Sequence, residues 1–274
     1  MATKSKENNQ ELVEKEENLP AISMFEEDAG AGLEGADKSS YAIPFLVMLQ
    51  GLSPQCETID EAKPGLILNT ITNEVSKVVR VIPCAYQRRF IRWTPRSQGG
   101  GFKGEYNPVD VETGSVEGMK LINGYYLMDV PDGVNAFDKD GRPLYDHLAD
   151  TRMHYVLYET EAGAWHPALI SLSSTQIKRS KRWVSRIQGL EIQGQGGKLF
   201  NPPSFSHIYT IGAVKEKNQK GEWWSFDIEL DCPVAEVGVY AAAKAFNKAV
   251  NSGAVEVQQP SQDTSPDTAE DGKF

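Results

Sequence analysis

Tyr86-Gln87-Arg88-Arg89-Phe90-Ile91-Arg92-Trp93 is the stretch on which the fold turns. With the two-residue period of a strand, Tyr86, Arg88, Phe90 and Arg92 share one face, while Gln87, Arg89, Ile91 and Trp93 share the other. Aromatic and β-branched residues favour such an extended run, and Pro95 with the Gly99-Gly100-Gly101 loop closes it. Working outward, residues 66–72 and 75–82 read as strands parted by Asn73-Glu74, and 121–130, 152–159 and 165–172 as further strands. A turn falls at Asp138-Lys139-Asp140-Gly141. Phe45-Leu46-Val47-Met48-Leu49 reads as a short buried helix, with Pro44 in its permitted first turn and Gly51 and Pro54 ending it. Ser173-Ser174 opens a helix to about Gln188, with Ile177, Val184 and Ile187 at helical spacing. A glycine-rich loop leads to strands 205–214 and 223–230, and an alanine-rich helix over 234–250 ends the series.

This order predicts a mainly β protein with helices (α+β). Antiparallel strands, one helix and a late hairpin match an OB-like Greek-key barrel with insertions, the helix bridging strands three and four. An ordinary α+β sandwich is the alternative. Residues 1–40 and 253–274 are polar and acidic and are expected to be disordered, which leaves 41–252 as the folded domain.

The charge distribution sharpens the picture. The chain carries a net charge of −10, yet 1–40 holds ten acids against four lysines and 255–274 holds five against one. The segment between them has 23 acids and 23 basic residues. Within it, Lys77, Arg80, Arg88, Arg89, Arg92, Arg96 and Lys103 form one block without an acid, and Lys178, Arg179, Lys181, Arg182 and Arg186 form another. Such blocks require an anionic partner, either external or within the chain. With 40% hydrophobic and 24% charged residues, the composition excludes collagen, a coiled-coil rod and wholesale disorder. The longest apolar run, 41–49, is about half a membrane span, so no membrane partner is expected. Cys56, Cys84 and Cys232 are odd in number and far apart, and the N-terminus lacks an apolar signal core. A cytoplasmic location is expected.

Rings alternating with guanidinium groups suit an unpaired nucleic-acid strand, because bases stack on the rings and phosphates meet the cations. The predicted contacts are Tyr86, Phe90 and Trp93 by stacking, with Arg88, Arg89, Arg92, Arg96, Lys103, Lys178, Arg179, Lys181, Arg182 and Arg186 on phosphates. The bland alternative places Tyr86 and Phe90 in the core, with the arginines reaching out to solvent. In the last residues, Asp263, Asp267, Glu270, Asp271 and Phe274 make an acidic tail tipped by an aromatic ring. It resembles the tails of single-stranded DNA-binding proteins of bacteria and their phages, departing from them in its scattered acids and in Lys273 beside the terminal Phe274. Ala42-Ile43-Pro44-Phe45-Leu46, with Gln50 and Ser53-Pro54, resembles the start of a group of phage-encoded DNA-binding proteins. The resemblance implies binding and protection of single-stranded DNA in phage replication or recombination. Asp267, Glu270, Asp271 and Phe274 would then recruit replication or recombination proteins.

Catalytic signatures are thin. His147, His154, His166 and His207 show no zinc-ligand spacing, and Gly197-Lys198 precedes Leu199, where a phosphate loop needs Ser or Thr. No cofactor, metal or enzymatic activity is expected, and oligomer formation stays open. Two further functions compete: a protein-interaction or virion component, and a metal-dependent nuclease using Asp227, Glu229 and Asp231.

Overall fold

The computed structural model describes residues 22–36, 42–218, 221–255 and 257. The chain divides into a unit at Met1–Tyr41 and a body at Ala42–Phe274. In the first, α1 (Ile22–Glu27) is followed by turns, and residues 23–35 are exposed. The expected disorder of the rest of 1–40, and of 258–274, falls outside the described residues, whereas Val255 and Val257, at the start of the expected tail, pack against a core cluster.

The body opens with β1 (Leu46–Met48), α2 (Gln55–Thr58), β2 (Ile67–Asn69) and β3 (Val75–Ser76), and then β4 (Val79–Trp93), a strand of 15 residues. An insertion follows, with β5 (Phe102–Tyr106), α3 (Pro108–Glu112), β6 (Met119–Ile122) and β7 (Tyr125–Met128). The chain continues through β8 (His147–Glu159), β9 (Trp165–Ser173), α4 (Ile177–Gln188), β10 (Ile192–Gln193), β11 (Leu199–Phe200), β12 (His207–Asn218), β13 (Gly221–Pro233) and α5 (Val237–Asn251). The mainly β class with helices is observed.

Strands β9-β8-β4-β12-β13 hydrogen-bond in that order, antiparallel throughout, with α4 lying between β9 and β12 in the chain. This is the strand order expected of the OB-like layout, but the sheet is not closed. No strand pairs with the outer edge of β13 among the described residues; side chains cover it instead. The Gln50 amide donates to the Trp224 carbonyl and accepts from the Trp224 N–H, both at 2.9 Å, and so stands in for a strand residue. Gln176 accepts from the Phe226 N–H, and Arg186 donates to the Ile228 carbonyl. At its other end the segment 44–50 bridges β9 through Leu169, whose N–H donates to the Pro44 carbonyl. An edge left bare would invite pairing with another chain, and this one is blunted by amides and a guanidinium.

The expected helix over Phe45–Leu49 is corrected to strand β1. Leu46 and Met48 join the core cluster shared by β4, β8, β9, β12, β13 and α4, while Phe45, Val47 and Leu49 join a second cluster with α5. Both faces are buried, so every residue is apolar and strand alternation leaves no trace in the sequence. Likewise the single strand expected over 121–130 is the β6–β7 hairpin. Its turn residues Asn123 and Gly124 have φ of 53° and 86°, as a type I′ turn demands. The strand expected at 75–82 divides into β3 and the start of β4, which runs on through the strand expected at 86–93 across a bulge at Cys84. The Cys84 carbonyl accepts from Asn247 Nδ2 of α5 at 2.7 Å, so the unpaired bulge group is satisfied by the helix that covers it.

Candidate nucleic-acid interface

The parity read from the sequence holds along β4. Tyr86, Arg88, Phe90 and Arg92 face β8 residues His154, Arg152, Asp150 and Leu148 in register. Burial divides them. Phe90 is 3% exposed and packs with Val111, Met128 and Leu148, its ring meeting Tyr126 edge-on at 5.5 Å. Trp93 is buried as well, edge-on to Phe102 at 6.2 Å. Neither ring offers a face to a base: α3 and the hairpin after it cover Phe90, and Trp93, on the other face of β4, is buried with Phe102 at its edge. Tyr86 alone of the three is open, at 42% exposure. Beneath it run His154 at 5.1 Å and then Trp183 of α4, stacked on His154 at 4.5 Å. The His154 ring nitrogen Nε2 is 2.7 Å from Ser180 Oγ, and burial lowers its pKa to about 3, so the ring is neutral.

The arginines of the first block find their anions within the chain. Arg88 grips Asp150 with two bonds, at 2.9 and 2.8 Å, and also pairs with Glu112; Asp150 foremost raises its pKa further. Arg92 pairs with Asp146 at 2.7 Å and Asp129 at 3.0 Å, Arg80 with Glu159 and Asp231, and Arg89 more loosely with Glu105 at 3.9 Å. Arg96 and Lys103 are exposed in and after the loop that closes β4.

The second block divides in the same way. Arg179 pairs with Glu216 and lies 3.8 Å from Asp227, Lys178 also pairs with Glu216, and Arg186 pairs with Glu229. Burial opposes the charge on Glu216, but hydrogen bonds from Lys178 and Arg179 outweigh it and hold the carboxyl below the usual range. These bonds fasten α4 to β12 and β13. Lys181 and Arg182 are exposed on the same helix with no acid partner among the described residues.

With this geometry in view, comparison with family models finds a match over residues 13–256 to the Pam3 phage gp34-like proteins. The chain belongs to the Pam3 phage gp34-like family. No curated protein and no solved structure matches it. Family membership places the chain among phage proteins and leaves its chemistry to be argued from the site.

For the nuclease alternative, Asp227, Glu229 and Asp231 each face a different arginine: Arg179, Arg186 and Arg80. Among the described residues no group of three or more His, Cys, Asp or Glu could hold a metal ion. No helix of the described residues is long and apolar enough to cross a membrane. Asp267, Glu270, Asp271 and Phe274 lie outside the described residues. The sequence gives Gln50 only as part of a resemblance and carries no signal for the edge-capping role it shares with Gln176, and Phe200 stands exposed in the glycine-rich stretch expected to be a loop.

Proposed function

We propose that the protein binds single-stranded DNA without catalysis and protects unpaired intermediates of phage replication or recombination. The observation that carries this reading is α4. In an OB-like strand order it bridges the third and fourth strands, and it presents Lys181 and Arg182 to solvent with no acid partner among the described residues. Of the residues first assigned, Tyr86, Lys103, Lys181 and Arg182 are the contacts kept here. Arg88, Arg92, Arg179 and Arg186 hold the fold together.

That division predicts a shallow salt dependence. About three or four phosphate contacts on a single strand give a slope of about −2 to −3 in log K against log salt. Binding to labelled oligo-dT should therefore weaken about 20- to 50-fold between 50 and 200 mM salt, whereas ten contacts would give about 10⁴-fold. Titration at those two concentrations, beside a duplex of the same length, is the test. Equal affinity for duplex, or none for oligo-dT, refutes the reading. A second reading, a protein-interaction or virion component, is favoured by the internal pairing of both basic blocks. A defined large oligomer by light scattering without oligonucleotide affinity would establish it instead.

A further inference from the structure

The hairpin after α4 is hung from that helix. Asn201 Nδ2 donates to the Gln188 carbonyl at 2.9 Å and to the Leu190 carbonyl at 3.1 Å, so the last turn of α4 and the return of the hairpin move as one. β10 and β11 pair only through Ile192 with Phe200 and Gln193 with Leu199, and the tip closes with the Gly194 N–H donating to the Lys198 carbonyl at 3.0 Å. Phe200 is 45% exposed, and its ring lies against Gly194, where an added Cβ would stand 3.5 Å away. Leu199 is exposed too, and Lys198 has no acid partner among the described residues. So short a hairpin has no core of its own, and apolar side chains held open on it with a cation beside them mark a contact surface.

The charge of the neighbouring helix matches. At 100° per residue, Lys178, Lys181, Arg182 and Ser185 crowd the side of α4 opposite buried Ser180 and Trp183. Lys181 lies about 10 Å along the axis from the helix end that carries the hairpin. From Ile177 to Phe200 the only acid is Glu191.

We propose that the outer face of α4 and the β10–β11 hairpin form one continuous site for a single nucleic-acid strand, with Phe200 as the stacking ring and Lys181, Arg182 and Lys198 on phosphates. This rests on the single-strand reading above and moves the principal ring from Tyr86 to Phe200. The test uses the full chain and labelled oligo-dT in fluorescence anisotropy. Phe200→Ala should weaken binding about 5- to 100-fold. Phe200→Tyr, which keeps a ring, should bind like the parent. Lys181→Ala with Arg182→Ala should flatten the salt slope by about 1.4. If the parent binds and Phe200→Ala and the double variant bind equally well, the site lies elsewhere while single-strand binding stands. If Phe200→Tyr fails as alanine does, the ring is not the platform. If the parent itself does not bind, the functional reading falls and takes this site with it.

Discussion

Replacing Phe90 by alanine separates a core ring from a binding ring more cleanly than any other single change. The side chain is 3% exposed, ringed by Val111, Met128 and Leu148, with Tyr126 edge-on and the Arg88 guanidinium 5.1 Å above its centroid. Removing a phenyl group from such a site costs about 3–5 kcal/mol through lost burial and a residual cavity. Loss of the cation–π contact adds about 0.5–1 kcal/mol, since Arg88 keeps a partly exposed position. For a body of this size each kcal/mol lowers the melting temperature by about 2–4 °C, so Phe90→Ala should melt about 7–24 °C below the parent. Urea denaturation followed by tryptophan fluorescence measures the loss directly, and oligo-dT titration well below the melting point measures binding. The expected outcome is a large fall in midpoint with affinity nearly unchanged. Unchanged stability with affinity lowered by about 1–3 kcal/mol, the usual contribution of one stacked base, would show Phe90 to be a platform and refute the packing argument.

Gln50→Ala should leave the Trp224 N–H without its partner and weaken the hold on its carbonyl, costing about 1–3 kcal/mol in a denaturation curve and shifting tryptophan emission. Gly65→Ala should also destabilise measurably, because φ is +89° and the new Cβ would stand 2.9 Å from the Trp224 ring. His154 is held neutral, with its pKa lowered from 6.5 to about 3, so the unfolded chain takes up the proton first. Its contribution is complete above pH 6.5 and is lost as pH falls toward 3, at up to about 1.4 kcal/mol per pH unit. His154→Phe should therefore flatten the pH dependence of the urea midpoint between 6.5 and 4.5. His207, whose pKa burial also lowers, keeps part of the slope. Deleting residues 258–274, which carry four acids and one lysine, should tighten oligo-dT binding if the tail competes for the cations; equal affinity of the two forms removes that role.

Local signals survived the step from sequence to structure where one face of an element is dry and the other wet. The helix after Ser173-Ser174 showed its period for that reason. β8 and β9, buried on consecutive residues, were legible instead as apolar runs long enough for strands and bounded by turn residues, and the element order carried the OB-like layout. Residues 45–49 misled because both faces of β1 are buried, and 121–130 because the Asn123-Gly124 turn sits inside an apolar run. The site was harder to read for a different reason. Arg88 and Asp150 are 62 residues apart, Arg80 and Asp231 are 151 apart, and no acid-free window can show a partner at that distance. The one available signal was global: the 23 acids and 23 basic residues over 41–254 require that most cations have an anion somewhere in the body.

Those pairings also decide which cations a nucleic acid could use. For a phosphate to take Arg88 from Asp150 it must break a two-pronged charged contact, each bond of which contributes about 1.5–3 kcal/mol. It would also bring a new negative charge beside Asp150 and Glu112, which repel it. The phosphate gains about what the carboxylate loses, so the exchange yields little net binding. Lys181, Arg182 and Lys198 carry no such debt among the described residues, and a phosphate meeting them displaces only water and salt ions. Salt dependence therefore reports how many cations the fold has left unpaired. A slope near −7 would mean that the arginine–carboxylate pairs of β4 and α4 open on binding and that the division drawn here between scaffold and interface is wrong.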